Sequence, residues 1–235
     1  ARALQPPWLP HTERWLAESG AAIAQAVQSA ACLLDLDSVV LDLLFTVKRE
    51  DFVPEAYRAI AFTDMEIPLG HQQFMMPPRV EARLLQELAP MPGEHILEIG
   101  TGSGYLTALL AKRAAQVTSI EFHEDLSRAA AIRLEAAGMR NVHLKCGDAA
   151  HSPAAIVGDQ KFDAIVLTGS VPVLPPAYLE ALKTGGRLIA IVGDAPAMTA
   201  TLFRRGADGA FAATELFETV VAPLINADQP PRFEF

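Results

Sequence analysis

The sequence predicts an α/β fold: a doubly wound, mostly parallel sheet with a C-terminal antiparallel hairpin and an N-terminal helical cap. Three observations carry that expectation. From His95 onward, short apolar runs alternate with helical ones, and strands joined by such right-handed crossovers form a parallel sheet. Within that region residues 96–105, ILEIGTGSGY, pass from an apolar run through Gly100, Gly102 and Gly104 into a helical stretch, as a buried strand turning sharply into a helix does. After Gly193 the alternation stops, and two strand-like runs, 199–205 and 211–221, flank the turn-forming residues 206–209.

Composition bounds what such a fold can be. The 235 residues are 51% hydrophobic and 20% charged, enough for a sizeable core in about one domain. Residues 1–78 read as a helical cap and loop belonging to the same domain, and residues 79–235 as its ligand-binding body. A formal net charge of −9 argues against a nucleic-acid surface, which needs clustered Lys and Arg. Cys32 and Cys146 are too few and too scattered for a disulfide framework or a metal site, so no metal is expected and the chain reads as cytoplasmic. No uninterrupted run of about 18 apolar residues suggests a membrane span. Residues 29–32 faintly resemble a lipoprotein cleavage site, but Glu18, Gln25 and Gln28 spoil the apolar segment before it. No pattern specifies an oligomeric state.

In chain order, Pro6, Pro7 and Pro10 make residues 1–10 an irregular leader. Residues 11–34 are Ala-rich and helical, with Thr12 as N-cap. Residues 39–47 form a second apolar helix, and Pro54 closes that unit. Residues 59–78 have no clean period and read as a long loop, functional rather than disordered because it is dense in Met and Phe. Helical spacing returns at 79–88, where Val80, Leu84, Leu85 and Leu88 share a face. Strands are expected at 95–99, 116–121, 141–146, 162–168 and 187–192. Helices are expected at 106–115, 124–137 and 175–183, with Gly138 and Gly185 as C-terminal stops.

The glycine turn frees the backbone for close approach of a ligand, and the following helix N-terminus welcomes an anion. Glu121 ends the next strand, where a carboxylate can accept from both hydroxyls of a ribose. NAD would satisfy that, but the spacing here is G-x-G-x-G rather than G-x-G-x-x-G, and Glu98 adds negative charge where a pyrophosphate would sit. Gly147-Asp148 follows the third strand, and an acidic side chain there can accept from an adenine amine. An adenosine with a small charged tail fits, and S-adenosylmethionine fits better than NAD.

With these residues in view the region resembles a class I S-adenosylmethionine-dependent methyltransferase. From about Val39 to the last strand the chain is similar to the protein-L-isoaspartate O-methyltransferase family. The specific pieces are Arg49-Glu-Asp-Phe-Val-Pro54 and Ile67-Pro-Leu-Gly70; LEIGTGSGY, Gly147-Asp148, Phe162-Asp-Ala-Ile165, Thr168 and residues 182–188 add to them. The resemblance implies a Rossmann-like domain and a methyl transfer to the carboxylate of L-isoaspartyl residues in damaged proteins. It implies Gly100, Thr101, Gly102, Ser103 and Gly104 around the methionine moiety, Glu121 on the ribose and Asp148 with Ala149 at the adenine, Glu98 and Phe122 completing the cofactor site.

One stretch departs from the family. Where a Gly-Gln-Thr-Ile-Ser segment is usual, this chain has His71-Gln-Gln-Phe-Met-Met-Pro-Pro78. Gln73 keeps its place, but Phe74 replaces a threonine and Met76 the serine that borders the reacting carboxylate. Methionine cannot donate a hydrogen bond, though it can shape an apolar pocket. Either Gln73, Phe74, Met75, Met76 and Thr168 receive a more apolar acceptor, or the methionines are core packing and the acceptor is held by backbone and Gln73. The acceptor is accordingly a peptide, a protein or a small molecule. A carboxylate nucleophile needs no general base at neutral pH; His71 is the one loop histidine that could serve a protonated acceptor, and it reads first as an exposed loop histidine. Two rivals remain from this reading: a binding module for S-adenosylmethionine without turnover, and, more distantly, a dehydrogenase.

Overall fold

The computed structural model describes residues 38–228. The expected leader, the helix at 11–34 and Cys32 lie outside them.

The body is a seven-stranded sheet in the order β5-β4-β3-β6-β7-β8-β9, formed by β3 (His95–Ile99), β4 (Gln116–Glu121), β5 (Val142–Cys146), β6 (Phe162–Val171), β7 (Leu182–Asp194), β8 (Ala197–Arg205) and β9 (Phe211–Glu218). The first five are mutually parallel; β8 runs antiparallel to β7 and β9 antiparallel to β8, so the anticipated terminal hairpin closes the sheet. Residues alternate between two hydrophobic clusters, one on each face. Ile96, Ala164, Val166 and Ile189 point to one, and Leu97, Ile165, Leu167 and Leu188 to the other. Burial on both faces is why these strands read as continuous apolar runs.

Helices cover the faces: α1 (Ser38–Thr46), α2 (Pro78–Leu88), α3 (Tyr105–Ala111), α4 (Glu124–Ala136), α5 (Ala154–Val157) and α6 (Pro176–Glu180). Pro78 sits at the first helical position of α2, where its missing N–H costs nothing, and Val80, Leu84, Leu85 and Leu88 are all buried as their spacing predicts. The other end of α2 is held from the sheet. Arg187 of β7 donates to the Leu88 and Ala89 carbonyls (2.7 Å to the latter) and makes a bidentate pair with Glu94 at 2.7 and 2.9 Å. It thereby satisfies carbonyls that a helix C-terminus leaves free. No described helix is long and apolar enough to cross a membrane.

Two expectations need correction. Residues 59–78 are not one long loop. A 3-10 turn over Glu55–Ile60 leads into a small hairpin, β1 (Ile67–Gly70) against β2 (Gln73–Met75). Gly70 pairs with Gln73, so His71 and Gln72 form a two-residue turn, with φ of 53° and 58°. Two successive left-handed residues make the turn that hairpins favour, but Asn and Gly are its usual signal, and this chain uses neither. Gly185 is not a helix stop: α6 ends at Glu180, and Gly185 (φ 78°) lies where β7 bulges between Leu182 and Arg187.

The cap residues are fastened to the body by Arg49, which is fully buried. Its Nε donates to the Ala61 carbonyl (2.7 Å), one Nη to the Met76 carbonyl (2.6 Å) and the other to Glu81 of α2, while the guanidinium lies 5.0 Å from the Tyr105 ring centroid. Burial lowers its pKa to about 10, so it remains cationic at neutral pH. Removing one member of a buried pair strands the other charge, at a cost of about 3–5 kcal/mol. Arg49→Leu should lower the unfolding free energy in urea by that amount, and adding Glu81→Leu should restore part of it. Equal stability of wild type and Arg49→Leu would remove Arg49 from this role.

Candidate active site

In a doubly wound sheet the ligand crevice lies outside the carboxyl ends of the strands, where strand order reverses. Here that point falls between β3 and β6. An open cleft lies there, bordered by the ends of β3, β4, β5 and β6.

The glycine loop leaves β3 with Gly100 donating to the Ile120 carbonyl at 2.8 Å. Gly100, Gly102 and Gly104 all have positive φ, 95°, 52° and 86°, which explains their alternate spacing. A Cβ on Gly100 would stand 2.2 Å from the Thr168 hydroxyl, which lies 2.8 and 2.7 Å from the carbonyls of Ile99 and Gly100. Thr168 on β6 therefore holds the start of the loop from the far side of the crevice.

Glu98 is buried beneath the loop. Its Oε2 accepts from Thr107 (2.5 Å) and Ser119 (2.6 Å), and Ser119 lies 2.6 Å from the Thr101 hydroxyl. Its Oε1 is buried without a hydrogen-bond partner among the described residues. Burial raises its pKa to about 7, against the two hydroxyls that favour the charged form.

Glu121 closes β4 and also organises the loop. Oε2 accepts from the Gly102 N–H at 2.7 Å and Oε1 from the His123 N–H at 3.0 Å. Asp148 makes an Asx turn, Oδ1 accepting from the Ala150 N–H (3.0 Å), and its Oδ2 accepts from Asn226 (2.7 Å); these bonds hold its pKa below the usual carboxylate range. The Ala149 carbonyl accepts from buried Tyr178.

The fold gathers nearly all the residues singled out from sequence. Glu98, Gly100, Thr101, Gly102, Ser103, Glu121, Phe122, Asp148 and Ala149 line the cleft, and so do Gln73, Phe74, Met75, Met76 and Thr168 on its other side. Gly104 does not line it. It starts α3, and a Cβ there would press on Ala130 (3.2 Å) and Leu134 of α4, so its smallness serves helix packing. Met75 and Met76 are buried in the core cluster while contributing to the wall; Phe74 is exposed.

Sequence reasoning missed the wall formed by Val221, Ala222, Leu224 and Ile225. This segment runs beside the end of β6, with the Ser170 N–H donating to Ala222 (3.0 Å) and the Leu224 N–H to Ser170 (2.9 Å). Gly169 permits the approach, since a Cβ would meet Leu224 Cδ2 at 2.7 Å. The available signal was Gly169 next to Thr168, a strand-interior glycine of the kind that marks a close backbone approach. Glu66, Leu69, Glu81, Leu106, His123 and Leu126 also line the cleft unforeseen, and Gly147 joins them beside Asp148 as its motif suggests.

Sheet order, glycine loop and strand-end carboxylate together define a class I, Rossmann-like methyltransferase. Residues 28–229 match the model of the family described as protein-L-isoaspartate(D-aspartate) O-methyltransferase, and the chain belongs to that family. It is 38% identical over 207 residues to protein-L-isoaspartate O-methyltransferase 1 of Anaeromyxobacter sp., covering 87% of this chain and 96% of the relative. It is 41% identical over 160 residues to the protein-L-isoaspartate O-methyltransferase of Opitutus terrae, covering 68% and 67%. Among solved structures it is similar, at TM-score 0.70 and 21% identity, to a Plasmodium falciparum chain described as a protein-L-isoaspartate O-methyltransferase and crystallised with S-adenosyl-L-homocysteine, covering 80% of this chain and 90% of that one.

Glu98 sets a pH dependence of stability. Its carboxyl binds a proton more tightly folded than unfolded, so its contribution is full below its ordinary value of 4.5 and is lost as pH rises toward about 7. Unfolding free energy should fall over that window, and Glu98→Gln should flatten the fall. An unchanged pH profile in Glu98→Gln would contradict the assignment.

Proposed function

We propose that this chain transfers the methyl group of S-adenosylmethionine to the carboxylate of L-isoaspartyl residues in damaged proteins. The observation that carries the reading is that one cleft joins the glycine loop and Glu121 to the hairpin wall Gln73–Met75, in a chain whose family and relatives bear that activity in their names.

The residues present fit the donor. Glu98 Oε1, buried and unpartnered, suits an ammonium group on the methionine end. Gly100 lines the cleft and leaves no room for a side chain, its N–H held by the Ile120 carbonyl and its carbonyl by the Thr168 hydroxyl. Each oxygen of Glu121 takes one backbone N–H and keeps capacity for a ribose hydroxyl. At Asp148 both oxygens already accept a bond, so an adenine amine would share them or displace Asn226.

When bound, S-adenosylmethionine supplies a methyl group already activated by a positively charged sulfur. The chain then has to align the acceptor in line with that methyl and keep water out. An acceptor carboxylate is ionised at neutral pH and needs no base. Arg49 fixes the Met76 carbonyl and with it the acceptor wall, and it neutralises Glu81, which would otherwise repel an anionic acceptor. Gln73 remains the polar side chain of β2 on the cleft.

A second reading, favoured by Met76 at the position of the family's serine and by exposed Phe74, is a more apolar acceptor on the same fold.

Methyl-ester formation on an isoaspartyl peptide, compared with its aspartyl twin, separates the two. Turnover confined to the isoaspartyl peptide is expected; turnover only on apolar small molecules would establish the second reading. Calorimetry with S-adenosylmethionine should show Glu121→Ala weakening affinity by about 1–3 kcal/mol. An unchanged dissociation constant would refute its role, and tight binding without turnover on any acceptor would reduce the chain to a binding module.

A further inference from the structure

The rim of the cleft carries a cluster that methyl transfer does not use. His71 takes the first position of the β1–β2 turn, His123 follows β4, and Asp125 lies in the first turn of α4. The two imidazole rings stack, with centroids 4.1 Å apart and planes at 11°. His71 Nε2 lies 2.9 Å from Asp125 Oδ2. One donor atom from each of the three residues lies within 4.8 Å of the others. A hydrogen bond between His71 and Asp125 accounts for those two side chains alone. It leaves His123 Nε2, buried and without a partner among the described residues, unexplained.

We propose that His71, His123 and Asp125 form a binding site for a divalent transition-metal ion, best suited to Zn²⁺, which ties the acceptor hairpin to the cofactor side of the cleft. Two imidazole nitrogens and one carboxylate oxygen are ligands that Zn²⁺ favours, with a fourth position left to water. Metal–ligand distances of about 2.0–2.2 Å place tetrahedral ligand atoms about 3.3 Å apart. The donors must therefore close by about 1.5 Å at most. Parallel rings cannot both aim at one ion, so His71 turns out of the stack on binding. It is free to do so, because the side chains of His71 and Asp125 are 43% and 60% exposed. His123 stays fixed by its backbone N–H on Glu121. His123 and Asp125 stand at the start of one helix, but His71 joins them from the hairpin turn, 54 positions before Asp125, which is why cysteine counting and local spacing give no hint of the site.

The proposal concerns ion binding alone and stands whatever the methyl acceptor is. The test is calorimetry with ZnCl₂, paired with visible spectroscopy of the Co²⁺ form, on the untagged full chain at pH 7.5, where unperturbed imidazole is neutral. Cys146→Ser serves as the background, to remove an exposed thiol. One equivalent should bind, with the visible bands of four-coordinate Co²⁺. Affinity should fall about tenfold or more in both His71→Ala and Asp125→Asn, two exposed positions whose variants keep the wild-type circular dichroism. No saturable binding would overturn the proposal. Binding of equal strength in both variants would overturn it too, by placing the ion on other donors.

Discussion

The buried guanidinium of Arg49 is the contact on which the geometry of the cleft depends. It joins four parts of the chain: the turn ending at Ala61, the strand end at Met76, α2 through Glu81, and α3 through the Tyr105 ring. Two of these border the reaction space, since Met76 and Glu81 both line the cleft, and Tyr105 directly follows the glycine loop. A planar fork with five donors in fixed directions can satisfy two carbonyls and a carboxylate at once and hold them in place, where the compact, freely turning ammonium of a lysine imposes no such geometry. Burying a charge is costly, and apolar packing could have filled the space at less expense. What the ion pair supplies is a defined position for the hairpin relative to the loop.

The loop is held by a second set of contacts centred on carboxylates. Glu98 supports it from below through Ser119 and Thr107, Glu121 grips Gly102 from the side, and Thr168 reaches across from β6. Glu98 and Glu121 sit at the ends of strands buried on both faces, and Thr168 lies within a third, so the scaffold is rigid where the chemistry is. The loop can therefore be preorganised before any ligand arrives, which is what a reaction dominated by alignment requires.

Much of this was legible in the sequence, for a physical reason. Strands β3 and β4 match their expected bounds residue for residue, because each is buried along nearly its whole length and bounded by turn-forming or polar residues. Nine of the ten residues expected at the cofactor line the cleft because glycine loop, Glu121 and Asp148 are each fixed by one strand end. Gly104 differs because a glycine spacing records positive φ, not the direction in which the missing side chain would point. The β1–β2 hairpin escaped because strands of four and three residues carry no period and the turn uses His71 and Gln72. Residues 221–225 escaped because nothing local marks a segment whose place is set by hydrogen bonds to Ser170, far away in sequence.

That last wall has a bearing on how the protein is made. The glycine loop, Glu98 and Glu121 emerge from the ribosome early, and β6 follows with Thr168. The side of the cleft formed by Val221, Ala222 and Leu224 arrives only after the terminal hairpin has been synthesised. Until then the residues that line the cleft are present only in part. Any ligand that needs both walls can reward only the finished fold, so its binding energy acts as a check on completion rather than as a guide to folding.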